Sequence, residues 1–103
     1  MRINADCRDK VLYVELCGEI DEHSAATARR TADKLADDYA VASERAVFDL
    51  AKVSFMDSTG IGFLIGRYKK FRRYGITVYL TNPTAATDKI LSMSGVYTLM
   101  PRV

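Results

Sequence analysis

Asp57, Ser58 and Thr59 set a carboxylate and two hydroxyls at three successive positions, between the apolar run Ala46-Val47-Phe48-Asp49-Leu50 and a basic amphipathic segment over residues 63–74. Such a trio suits three kinds of chemistry. Its oxygens can cap the unpaired amides that open a helix. A serine can act as a nucleophile when a base activates it. A hydroxyl can also accept a phosphate, which the partial positive charge of a helix N-terminus tolerates. His23 is the only histidine, so a Ser-His-Asp triad would have to use it, and Asp57-Ser58-Thr59-Gly60 lacks the nucleophile-elbow pattern. Gly60, Gly62 and Gly66 do not form GxGxxG, and no Lys-Ser/Thr pair follows them as in a phosphate loop. They read as small residues where a helix packs close to a sheet or a partner. Asp57 reads as an acidic residue favoured by the helix dipole, capping the helix or positioning Ser58. On residue types alone, Ser58 stays open between cap and phosphate acceptor.

The elements that hold this trio follow from periodicity. Residues 2–18 alternate as a β-hairpin, and a turn at Arg8-Asp9 pairs Ile3 with Val14 and Ala5 with Leu12. That places Ile3, Ala5, Cys7, Leu12, Val14 and Leu16 on one apolar face and Cys17 on the other. A polar connection over residues 19–23 leads to a helix over residues 24–41, with Ala25, Ala28, Ala32, Leu35, Ala36 and Tyr39 on one side. Residues 45–50 predict a strand covered on both faces. The second helix is expected to bury Ile61, Leu64, Ile65, Tyr68 and Phe71, leaving Phe63 outside the stripe as an exposed aromatic one turn from Ser58, and to end at Gly75. Residues 76–80 alternate as a strand. Asn82-Pro83 then starts a third helix that stops at Ser94-Gly95, and residues 96–100 predict a last short strand. Crossover helices joining the later strands imply parallel pairing. The expected architecture is α/β: a mixed sheet with about three helices packed mainly on one face.

Length and composition bound the rest. At 103 residues the chain is expected to be one domain, residues 1–103. No apolar run approaches the ~20 residues of a membrane span, and the N-terminus lacks a signal-peptide hydrophobic region, so a cytoplasmic protein without a membrane partner is expected. A net charge of +2 does not imply nucleic acid. The five cations of Arg67-Tyr68-Lys69-Lys70-Phe71-Arg72-Arg73 read as a solvated face near a helix C-terminus, with Tyr68 and Phe71 turned inward and unavailable for base stacking. The two cysteines fit neither a metal site nor a disulfide framework and read as free thiols.

Phe55-Met56-Asp57-Ser58-Thr59-Gly60-Ile61-Gly62, followed by Gly66-Arg67-Tyr68-Lys69, resembles the phosphorylatable segment of STAS domains, in particular that of the anti-sigma F factor antagonists of spore-forming bacteria. Ser92-Met93-Ser94-Gly95-Val96 carries the resemblance too, which runs from about Leu12 to Met100. It implies a STAS fold and a regulator that is a kinase substrate and not an enzyme. In its unphosphorylated form the protein would bind an anti-sigma factor serine kinase and release the sigma factor. Phosphorylation on Ser58 would end that binding until a PP2C-type phosphatase resets it. Thr59 takes the place of a second small hydroxyl residue, a cap or contact. The loop Gly18-Glu19-Ile20-Asp21-Glu22-His23 would join the partner surface, so Asp21, His23, Asp57, Ser58, Thr59, Gly60, Ile61, Gly62 and Phe63 form the implied contact set. ATP and Mg²⁺ would belong to the kinase, leaving no cofactor here, no nucleic-acid partner, and a monomer when free. A STAS interaction module of a lipid-trafficking or stress-sensing assembly, without this switch, is the alternative. The antagonists continue into a further C-terminal helix that has no counterpart after Pro101-Arg102-Val103.

Overall fold

Alternating apolar residues at the start of the chain build two antiparallel strands, β1 (Arg2–Arg8) and β2 (Val11–Ile20), in a computed structural model that describes residues 1–103. The turn between them is Asp9-Lys10, at φ 51° and 66°. Two successive left-handed residues give the reverse turn whose twist matches a two-residue hairpin. The turn thus falls one residue later than expected, and the register moves by two: Ile3 faces Leu16, Ala5 faces Val14 and Cys7 faces Leu12. A shift of two preserves the side-chain alternation, so the apolar face is the expected one.

After β2 come α1 (Glu22–Tyr39), β3 (Arg45–Met56), α2 (Ser58–Arg73), β4 (Thr77–Thr81), α3 (Ala85–Ser94) and a 3₁₀ turn (Val96–Thr98). The sheet runs β1-β2-β3-β4, with β1–β2 antiparallel and both β2–β3 and β3–β4 parallel. Val14, Leu16, Phe48, Leu50 and Leu80 point from the sheet into one core. Ala28, Ala32 and Ala36 of α1 and Leu64 and Phe71 of α2 cover them. The Phe71 ring meets Phe48 edge-on, 5.7 Å between centroids and 79° between planes. Each such fully buried side chain contributes about 1.5–3 kcal/mol. Three alanines in the α1 stripe keep that helix close to the sheet.

Four expectations are corrected. β3 is not covered on both faces: Val47 is half-buried, and beside it Tyr13 is 40% exposed on the side away from the helices. β3 also continues six residues beyond Leu50, through shifts in its pairing with β2 that re-aim Val53 and Met56 inward. The α3 cap is Thr84, whose hydroxyl accepts from the Thr87 amide at 3.2 Å, whereas Asn82 sits in a left-handed turn at φ 55°. Residues 96–100 are not a strand. Val96 and Met100 are both buried, and their spacing of four suits a helical turn as well as an extended run. Gly95, at φ 78°, leads directly into that turn. The chain reaches the sheet only afterwards, where Leu80 donates to the Pro101 carbonyl at 3.0 Å and accepts from the Val103 amide at 2.9 Å.

Candidate functional site

The parallel pairing of β2 with β3 sets Ile20 opposite Met56, and each strand ends there. The next residue in each chain segment is an aspartate that caps a helix. Asp21 Oδ1 accepts from the His23 and Ser24 amides at 3.0 and 3.1 Å, and Ser24 Oγ accepts in turn from the Asp21 amide at 3.2 Å. Asp57 Oδ1 accepts from the Thr59 and Gly60 amides at 2.9 and 3.4 Å. Two helix N-termini therefore open side by side at one end of the sheet, beyond its two central strands. The amide bonds from Ser24 and His23 hold the Asp21 carboxyl below its usual range.

With Asp57 as the cap, Ser58 becomes the first residue of α2. It is exposed, and its hydroxyl takes part in no hydrogen bond within the chain. Capping is thus not the role of Ser58. Thr59 is half-buried, and Ile61 packs partly against the core. His23 lies outside, 87% exposed, with Nε2 4.0 Å from Glu22 Oε1 rather than on Ser58. The structure thus assembles no catalytic triad.

The three glycines divide. A Cβ on Gly60 would fall 2.4 Å from Met56 Cγ and 3.3 Å from the Ile20 carbonyl oxygen, so the first turn of α2 can rest against the strand ends only without a side chain. Gly62 and Gly66 face open space. Phe63 corrects the reading from sequence. It is 5% exposed, packed in the core beneath the Arg67 guanidinium, whose carbon lies 5.1 Å from the ring centre. The ring is therefore not the exposed aromatic expected from the sequence. The exposed aromatic near Ser58 is instead Phe55, at 48% on the end of β3.

Sequence reasoning missed Arg67. It read as one of five solvated cations, yet its side chain is 6% exposed, with Nε 2.8 Å from Asp33 Oδ1 of α1. Lys70 pairs with Asp37 at 3.0 Å, and the Tyr74 hydroxyl donates to the same carboxylate. Arg72 donates to the Tyr68 hydroxyl at 2.8 Å. Much of the basic run thus ties α2 to α1 or to itself. The signal was available: Arg67, Lys70 and Tyr74 recur at three and four residues on one side of α2, facing acids Asp33 and Asp37 with the same spacing.

A four-stranded mixed sheet with helices on one face and a hydroxyl-bearing helix start at the end of a central strand defines the class. The family model described as STAS domain matches residues 2–102, and the chain belongs to that family. Within it, the chain is 31% identical over 101 residues to an anti-sigma F factor antagonist of Paenibacillus polymyxa, covering 98% of this chain and 85% of the relative. It is also 31% identical over 97 residues to an anti-sigma-B factor antagonist of Bacillus subtilis (strain 168), covering 92% and 85%. Among solved structures, the anti-sigma factor antagonist SpoIIAA in its unphosphorylated form superposes with a TM-score of 0.77 at 23% identity, over 99% of this chain and 88% of that one.

Proposed function

We propose that this protein is an anti-sigma factor antagonist that works as a phosphate-operated binding switch, with Ser58 as the acceptor. The observation that carries the reading is the free, exposed Ser58 hydroxyl on the first residue of α2, with Asp57 already in the capping role. The hydroxyl can be modified without removing a bond that the fold needs. Phosphate there adds about −1.5 to −2 charges at neutral pH over a helix N-terminus that accommodates them. The same group inside a tight interface must be desolvated beside whatever acids it meets. Like-charge juxtaposition costs several kcal/mol, and roughly 3 kcal/mol is already more than a hundredfold in affinity.

The protein is the substrate in this scheme, and ATP, Mg²⁺ and phosphoryl transfer belong to an anti-sigma factor kinase in the cytoplasm. Asp21 and His23 lie at the neighbouring helix start, and in this reading they would contact the partner together with Ser58, Thr59 and Phe55. A phosphatase of the PP2C type would reset the switch. Equilibrium binding to the kinase tests the reading: Ser58→Ala binds like the unmodified protein, and Ser58→Asp binds at least about a hundredfold more weakly. Equal affinity of the two variants would contradict it.

A further inference from the structure

Residues of α1 and α2 line an open groove of ≈ 310 Å³. Arg29 of α1 stands on one side, Thr59, Gly62 and Gly66 of α2 form the other, and Phe63 and Arg67 lie at its base. Each glycine keeps space open, because a Cβ there would meet nothing within 4 Å.

Arg67 is the unusual group. Its side chain is 94% out of solvent, with Asp33 as its one ion-pair partner. Nε lies 2.8 Å from Asp33 Oδ1, and both atoms are buried in that charge contact. The two terminal nitrogens carry four of its five N–H donors, and Arg67 lines the groove. Burial and the nearby Arg29 charge disfavour the protonated form of Arg67, which Asp33 only partly offsets. Arg29 itself has no ion-pair partner within the chain, and no acidic residue lines the groove. Two cations therefore face one cavity with a planar donor set at its base. A carboxylate matches that set in shape and charge.

We infer that this groove receives an acidic side chain, Asp or Glu, from the protein partner, with its carboxylate between Arg29 and the terminal nitrogens of Arg67. This deepens the function proposed above and rests on it for the identity of the partner. Ser58 lies four residues before Gly62, hence on the same side of α2 as that groove residue. A phosphate on Ser58 competes for Arg29 and repels the incoming carboxylate, so the groove gives the switch a second point of leverage beyond steric exclusion.

The test needs neither kinase nor ATP, so it can fail while the Ser58 switch stands, and the reverse. An NMR titration compares two capped tripeptides that differ only in a central Glu or Gln. The expected result is saturable shifts of the Gly62 and Gly66 amides and the Arg67 guanidinium protons with the Glu peptide only, at millimolar affinity. Arg29→Glu weakens the effect by about tenfold or more, and Gly66→Leu, which fills the groove, abolishes it. Should Gly66→Leu fail to fold, Arg29→Glu at an exposed position still decides. Equal shifts with Glu and Gln peptides, no shifts at these positions, or an unchanged Arg29→Glu response would each overturn the proposal.

Discussion

Ile20 and Met56 face each other across the parallel pair β2–β3, and a helix-capping aspartate follows each of them at once. The offset of 36 residues set by that pair carries on through the caps Asp21 and Asp57, so the strand register decides how the two helices meet. It brings Asp33 to Arg67 and Asp37 to Lys70 further along. Gly60 lets the arrangement close, because its Cα lies where any Cβ would strike Met56 and Ile20.

The close approach at Gly60 separates it from Gly62. Gly60→Ala forces Met56 to move and costs about 1–3 kcal/mol of stability. Gly62→Ala meets open space in a helix interior and stabilises by about 0.5–1 kcal/mol. Chemical denaturation of both variants checks the opposite signs.

Removing the α2 cap with Asp57→Ala costs about 0.5–2 kcal/mol, and Asp57→Ser recovers most of it. Ser58→Ala costs little in the same assay, because the Ser58 hydroxyl bonds to nothing in the fold.

Asp33 and Arg67 are not equivalent. Asp33→Asn leaves a guanidinium buried without its counter-charge. Arg67→Met leaves Asp33, 31% exposed, to be rehydrated. Asp33→Asn is therefore the more destabilising of the two, by about 1 kcal/mol or more, measured by urea midpoints at constant slope.

Two titrations bracket the pH range. The folded-state pKa of Asp21 is depressed from 3.8 by its cap bonds, so its contribution is complete above that value and is lost as pH falls through the lower folded value. Asp21→Asn flattens the acid limb of the stability curve. Tyr97 is pushed up to about 12, chiefly by burial and then by its bond to Asp88 at 2.6 Å. Its neutral form is favoured by folding, so stability falls as pH rises from about 10 through about 12. Tyr97→Phe removes that part of the alkaline decline, read by thermal unfolding across the range.

What the sequence shows and hides follows from the kind of information each feature needs. The hairpin face, the α1 alanine stripe and the left-handed stop at Gly75 rest on local periodicity and one residue's φ, and all are legible. The strand–helix junction at Asp57-Ser58 is legible for the same reason. Phe63 and Arg67 are not, because α2 is covered by the sheet on one side and by α1 on another. A single apolar stripe therefore underestimates what is buried. The 3₁₀ turn after Gly95 was hidden because Val96 and Met100 satisfy both patterns at so short a length. The groove depends on Arg29 and Arg67, 38 positions apart in the chain and brought together only by strand register.

Intact-mass measurement after incubation with a candidate anti-sigma factor kinase and ATP, followed by fragmentation, tests the central claim most directly. The account predicts the gain of one phosphate, located on Ser58 and absent from Ser58→Ala. Phosphate on another residue, or a kinase that binds the protein without modifying it, would contradict the switch.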